Sequence, residues 1–369
     1  MTMSSGAGSG DLREQLLANL GLQVAGCREM GSPFYAGLLE RMIADVKVGG
    51  PVWALLAAHA NAPFEDAYAL RILGGLHKLV LSGQSPELAA RYPSVGGDGD
   101  VDAAWPNVSS LISDPPLMLL EALTRPPQTN EVGRSIPLVG GMLVVARETG
   151  LPLRLRELGS SAGLNLRVDR YWFEQDGVGW GDPTSKVRFT EFWPGGRELF
   201  EQGMTIVDRR GCDQDPLDAT TDAARLALLS YVWPGQDQRF QILQAALDAA
   251  KEMPVTIDKA DAGNWLAWQV GEPEPGVVTV VYHSVFWQYL PEATRSAIIT
   301  LLRAAGARAT PEAPLAWLRL EPHAQTYVPA ELRLSIWPAR GGVVENRLLA
   351  KTGFHLGPVD WLDRLPPES

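Results

Sequence analysis

Residues 153–165, LRLRELGSSAGLN, constrain this chain more than any other stretch. Leu153, Leu155 and Leu158, interleaved with arginines, read as a strand ending near Glu157. Gly159-Ser160-Ser161-Ala162-Gly163 is a small-residue turn, and the next residues are able to start a helix. Strand, glycine-rich turn and helix start together let backbone N–H groups approach a cofactor or an anion. Such a strand needs sheet partners. The sequence supplies them only downstream, because everything upstream reads as helices.

The turn admits several readings. Glu157-x-Gly159-x-Ser161-x-Gly163 sets an acid at a strand tip before a run of small residues. Gly159-x-Ser161-x-Gly163 is also the spacing of a nucleophile elbow, with Ser161 as the nucleophile. A dinucleotide fingerprint fails, because it needs glycines where Ser161 and Leu164 stand. A tight strand-to-helix turn without any ligand fits equally well, so the rest of the chain has to decide.

The length, 369 residues, fits two lobes. Residues 1–10 are Gly/Ser-rich and read as a disordered tail, 11–150 as a helical lobe, and 151–369 as an α/β domain with an insertion at 170–203. No apolar run is long enough to span a bilayer and the start lacks a signal-peptide pattern, so a cytoplasmic protein without a membrane partner is expected. Cys27 and Cys212 are the only cysteines, and the five histidines show no ligand-spaced pair, so no metal is expected. A net charge of −11 argues against a nucleic-acid partner. The oligomeric state is open.

In the helical lobe apolar residues recur at helical spacing at Leu16, Leu17, Leu20 and Val24, and at Tyr35, Leu38, Leu39 and Met42. Ser32-Pro33 reads as a helix start and Gly49-Gly50-Pro51 as a break. A third helix is expected over 64–81 and a polar loop over 92–106. Asp114-Pro115-Pro116-Leu117 resembles the Asp-Pro-Pro-aromatic tetrad of amino-methyltransferases, but Leu117 is not aromatic, and an Asp cap before a proline-started helix explains it more simply. The polar cluster Gln128-Thr129-Asn130-Glu131-Val132-Gly133-Arg134 precedes the first strand unit, either as a capped loop or as a strap over a pocket.

Downstream, strands are expected from Met204 to Val207, at 255–257, 277–282, 315–320, 332–337 and 347–352, with helices at 220–233, 236–251 and 291–305. The unbroken apolar run of 277–282 marks a strand covered on both faces. The short connection 338–342 implies antiparallel pairing at the edge. Asp213, between a strand and Asp215-Pro216, stands where a ribose-binding acid is needed.

This order resembles the seven-stranded Rossmann-like fold of S-adenosylmethionine (SAM)-dependent methyltransferases, with an N-terminal all-helical lobe added. The resemblance covers roughly residues 151–362. It implies SAM as cofactor, held by Glu157, Gly159, Ser160, Ser161, Gly163 and Asn165 at the turn, by Asp213 at the ribose and by Asp261 and Ala262 at the adenine. The gap from the turn to Asp213 exceeds the usual spacing of about 20 residues, which makes Asp176 a fallback for the ribose acid. The helical lobe is then a lid, and Asn130, Glu131, Arg134, Trp287 and Tyr289 line the acceptor site. His283 and Glu321, at strand ends, are the candidate bases for an OH or NH acceptor, a small molecule or a protein side chain. Trp287 reads equally as a packing aromatic and His283 as a strand cap. More narrowly, QTNEVGR, LRELGSSAGLNLRVDRYWF, GCDQDPLD, VVYHSVFWQYLP, APLAWLRLEP and ELRLSIWP resemble a bacterial family of uncharacterised proteins, domain of unknown function 2332.

Two other function classes compete. A serine hydrolase would join Ser161 to Asp261 and to His283, His323 or His355, in the chain order Ser…Asp…His. Glu157 has no role there. A methyltransferase-like protein that binds SAM without catalysis, or has lost the cofactor, is the third. Methyl transfer requires alignment more than a fixed catalytic motif, so the sequence does not separate it from the enzyme.

Overall fold

A computed structural model of the chain describes residues 9–194, 196–201, 203–323, 325–339 and 342–363. It divides the chain into two compact units, Met1–Thr129 with Arg225–Gln241, and Asn130–Ala224 with Ile242–Ser369. Residues 1–8 of the expected tail lie outside the described residues, and helix α1 (Ser9–Glu29) already starts at Ser9.

The first unit is helical. After α1 come α2 (Pro33–Val48), α3 (Pro51–Leu56), α4 (Tyr68–Leu81), α5 (Pro86–Ala89), α6 (Val101–Ser113) and α7 (Leu117–Thr124). Pro33 opens α2, and Gly49, in the left-handed region at φ 73°, closes it by donating to the carbonyls of Asp45 and Val46. Leu16 and Leu20 of α1, Leu38, Leu39 and Met42 of α2, and Leu73 and Leu76 of α4 meet in one apolar core.

Three expectations shift here. The helix expected over 64–81 begins at Tyr68, because Ala67 sits at φ 55° and breaks the run from Phe64. The loop expected to reach Pro106 ends at Asp100, whose carboxylate caps α6 by accepting the Ala103 N–H. Pro106 lies inside that helix. Asp114 closes α6 instead of capping α7, which starts after both prolines.

The second unit is a mixed α/β fold. Helix α8 (Ser135–Thr149) leads into β1 (Leu153–Leu158). Strands β2 (Trp172–Gln175), β3 (Val178–Gly181) and β4 (Arg188–Thr190) make a separate three-stranded sheet, order β3-β2-β4. Then follow β5 (Ile206–Asp213), helices α9 (Asp222–Leu229) and α10 (Asp237–Glu252), whose stretch Arg225–Gln241 counts with the first unit, β6 (Thr256–Lys259), α11 (Ala262–Gln269), β7 (Val278–Ser284), α12 (Glu292–Gly306), β8 (Leu315–His323), β9 (Tyr327–Ala339), β10 (Gly342–Thr352) and β11 (Val359–Trp361).

The main sheet has eight strands in the order β11-β10-β9-β8-β7-β1-β5-β6. β6, β5, β1, β7 and β8 run parallel, and β9, β10 and β11 return as an antiparallel meander. The count is eight, not seven. β11 has only three residues, too few to show a period, and pairs with Ala350–Thr352 of β10. Residues 340 and 341 of the expected edge connection lie outside the described residues, while the antiparallel pairing of β9 with β10 is present.

Successive strand residues face opposite sides of the sheet. Leu158, Cys212, Val281 and Trp317 pack with Ala262 and Leu266 of α11 and with Ile298 and Leu302 of α12. Leu318 points the other way, against Gly141 of α8. No described helix is long and apolar enough to cross a membrane.

Candidate functional site

β1 ends in a hydrogen-bonded turn in which the Gly163 N–H donates to the Ser160 carbonyl at 2.7 Å. Gly159, Ser161 and Gly163 lie at φ 69°, 53° and 65°. With φ positive at Ser161 and not at Ala162, the turn has the sign pattern of type II′. Glycine at 159 answers a neighbour of the chain's own: a side chain there would collide with the Phe286 ring. The expected helix does not follow. Residues Leu164–Arg170 form a 3₁₀ segment with non-helical geometry at Arg167, whose guanidinium bonds back to the carbonyls of Ala162 and Gly163 at 3.2 and 2.8 Å. A helix N-terminus is therefore not part of this site.

Glu157 faces the α8 side beside its register partner Tyr282 of β7. It is 2% exposed. Burial first, and the charge of Asp213 second, hold its carboxyl well above the usual carboxylate range, with Arg167 pulling the other way. Among the described residues, Oε2 of Glu157 has no hydrogen-bond partner. Neither has Oγ of Ser161, nor Oδ1 of Asn165, which are 5% and 1% exposed. Three partnerless buried oxygens around one turn are unusual, since most buried polar side-chain atoms are paired. Ser160, fully buried, instead donates its hydroxyl to the Glu157 carbonyl at 3.0 Å.

Asp213 closes β5, next to β1. Its Oδ2 accepts the Ser161 N–H at 2.8 Å and its Oδ1 the Asp215 N–H at 3.0 Å, so the acid is tied to the turn itself. Each oxygen keeps a second lone pair. Asp176 sits in the exposed β2–β3 turn of the small sheet and not at a main-sheet strand tip. One strand further out, Asp261 follows β6 and caps α11 by accepting the Asn264 N–H at 3.0 Å, with Ala262 buried behind it.

The polar cluster before α8 braces the turn. Asn130 Oδ1 accepts the Leu164 N–H at 2.9 Å, and the Glu131 carbonyl accepts from Asn165 Nδ2 at 3.4 Å. Glu131 also takes the Gly133 N–H and meets His355 Nδ1 at 3.1 Å. Arg134 donates to the carbonyls of Ser284 and Phe354.

His283 and Glu321 lie on the opposite, α12 side of the sheet, apart from Glu157. Trp317 Nε1 only donates, so at 3.2 Å it fixes His283 Nε2 as an acceptor, and Nδ1–H then donates to Glu321 Oε1 at 2.6 Å. The ring is fully buried, and both nitrogens are engaged by side chains, not by backbone as in the strand-cap reading. The Glu321 carboxylate also receives the Phe286 N–H, at 3.1 and 3.2 Å. Trp287 stacks on His283 with ring centroids 5.1 Å apart, and Tyr289 is 68% exposed. His323 is engaged by Gln325 and Thr326 of its own loop. Ser161 Oγ thus meets no histidine.

Tyr282, Arg167 and Phe286 belong to the site without having been singled out in the sequence. Tyr282 looks like one more core residue of a buried strand, yet its hydroxyl bonds the Asn165 carbonyl at 3.1 Å. Phe286 has a weak signal: an aromatic three residues after a strand-end histidine, level with a glycine turn on the adjacent strand. Among the described residues no group of three or more His, Cys, Asp or Glu side chains is placed to hold a metal ion.

No curated protein and no solved structure matches the chain. Residues 18–361 match the model of a family described as an uncharacterised protein conserved in bacteria, DUF2332, and the chain belongs to that family.

Proposed function

We propose that the second unit binds an S-adenosyl cofactor across the tips of β1, β5 and β6 and directs its methyl group to a small-molecule or protein acceptor. The observation that carries this is the set of partnerless buried oxygens on Glu157, Ser161 and Asn165. Two carbonyl-type acceptors and a hydroxyl suit a primary ammonium, which has three protons to donate. Asp213 and then Asp261 follow on the next two strands outward, in the order of ammonium end, ribose and adenine along the ligand. Such a cofactor supplies a methyl group already activated on sulfur.

The chain's own work is then to bind and align. Glu157 and Asn165 hold the ammonium end, and Asp213 accepts the sugar hydroxyls while still bonded to the Ser161 N–H. Of the two candidate bases, Glu321 is the group able to take an acceptor's proton, and His283 orients it.

Titration calorimetry with S-adenosylhomocysteine tests this. Wild type should bind, and Glu157→Gln and Asp213→Asn should each bind about tenfold or more weakly, the size of one charge-assisted bond. Asp176→Ala should change nothing. Because burial holds the Glu157 carboxyl high and an ammonium favours its ionised form, binding should release a proton, read as a buffer-dependent enthalpy. Absence of binding at millimolar ligand overturns the proposal. Stoichiometric labelling of Ser161 by a serine-directed phosphonate would replace it with the hydrolase.

A further inference from the structure

We propose that Val285 and Phe286, directly after β7, form a latched flap over the Gly159 turn, with Phe286 as its plug and Glu321 as its latch. This rests on the cofactor reading above only for the ligand that the flap admits. The Phe286 ring occupies the space into which any side chain at residue 159 would project. The ring and a ligand's approach to the Gly159 α-carbon on that side therefore exclude one another.

The residue before the plug is Val285, at φ 48°. A β-branched side chain in the left-handed region is a true outlier, which persists only where the surroundings hold it. The surroundings are visible. The Val285 N–H donates to the Leu320 carbonyl at 2.9 Å, and the Phe286 N–H is shared between both Glu321 oxygens. Glu321 is itself held by His283, which Trp317 and the stacked Trp287 keep in place. On the β7 side, Arg134 holds the Ser284 carbonyl at 3.2 Å. Strain at one end, a single shared carboxylate bond in the middle and a ring seated against a glycine make a segment with two positions. Leaving the closed position breaks the Phe286 N–H bond, relaxes Val285 and bares Gly159, with the His283–Glu321 pair intact.

Hydrogen exchange of the free protein decides this without any ligand. Glu321→Gln keeps the shape and one acceptor but removes the charge. It should speed exchange of the Phe286 amide by about tenfold, while amides of β7 from Thr279 to Tyr282 exchange as in wild type. Unchanged exchange at Phe286, or equal acceleration throughout β7, would overturn the flap. A second arm measures association of S-adenosylhomocysteine by stopped flow. The same variant should associate several-fold faster, and an equal or slower rate in a variant that binds would also overturn the flap. If neither protein binds, the cofactor reading fails while the exchange result still decides the flap.

Discussion

The two units each bury a histidine completely, and the two are wired alike. His77 of α4 donates from Nδ1 to the Ser230 carbonyl at 3.1 Å and accepts at Nε2 from the Ser94 hydroxyl at 2.7 Å. His283 likewise donates from Nδ1 and accepts at Nε2, from Trp317. The difference is the acceptor. His77 faces a neutral carbonyl, and burial pulls its pKa down to about 4. It stacks on Tyr92, and its two nitrogens meet a carbonyl and a hydroxyl, not a carboxylate. His283 faces a carboxylate that also holds a loop against the β1 turn. A buried histidine with neutral partners serves packing alone, whereas one that anchors a carboxylate extends its hold to whatever else that carboxylate bonds.

The largest effect should come from His77. His77→Ala removes the ring and leaves the Ser230 carbonyl and Ser94 hydroxyl without it, costing about 3 kcal/mol in urea denaturation. Affinity for S-adenosylhomocysteine should not move; if it falls, the packing-only assignment is broken. The same group gives an acid limb. The folded pKa lies below the ordinary 6.5, so its contribution is full above that value and is lost as pH falls toward about 4, in total about 3 kcal/mol. His77→Ala should flatten that limb in denaturation curves taken across the window.

A smaller effect is expected at the β1 turn. Gly159→Ala places a side chain at φ 69° and displaces Phe286, costing about 2 kcal/mol. Part should return in the double variant with Phe286→Leu, since the two residues share one space. Strict additivity in thermal melts would mean that Phe286 is not what requires the glycine. The smallest effect is at Asp261. Asp261→Ala should lose about 1 kcal/mol of cap energy, and Asp261→Asn almost none. If Asp261→Asn also weakens S-adenosylhomocysteine binding, the residue does more than cap α11.

Much of the sheet was legible because its signals are local. The run at 277–282 is a strand buried along nearly its whole length. β5 was caught only at its start, because Asp208, Arg209 and Arg210 mimic a solvated loop. In the fold these charges are paired sideways: Asp208 with Arg156, Arg209 with Asp169, and Arg210 with Asp258. Partners tens of residues away leave no trace in a local pattern. At the site, the composition of the turn was readable and its surroundings were not. Glycine at 159 suggests a ligand's approach equally with the aromatic ring that fills the space. That His283 and Glu321 face away from Glu157 depends on strand parity, which a one-residue error in register reverses.

The division of the chain bears on how it is made. The first unit takes back Arg225–Gln241, so the carbonyl that accepts from His77 arrives 153 residues after the histidine. At ordinary elongation rates the ribosome needs about 10–30 seconds to cover that distance. Throughout that interval the nascent helical unit lacks Ser230 and the Pro234 carbonyl that takes the Ser32 hydroxyl. The strand β1, its turn and β5 have by then been synthesised. The amino-terminal unit, first to leave the ribosome, is thus completed only after the central strands of the other have emerged, and a fragment cut at Thr129 is not a smaller version of it.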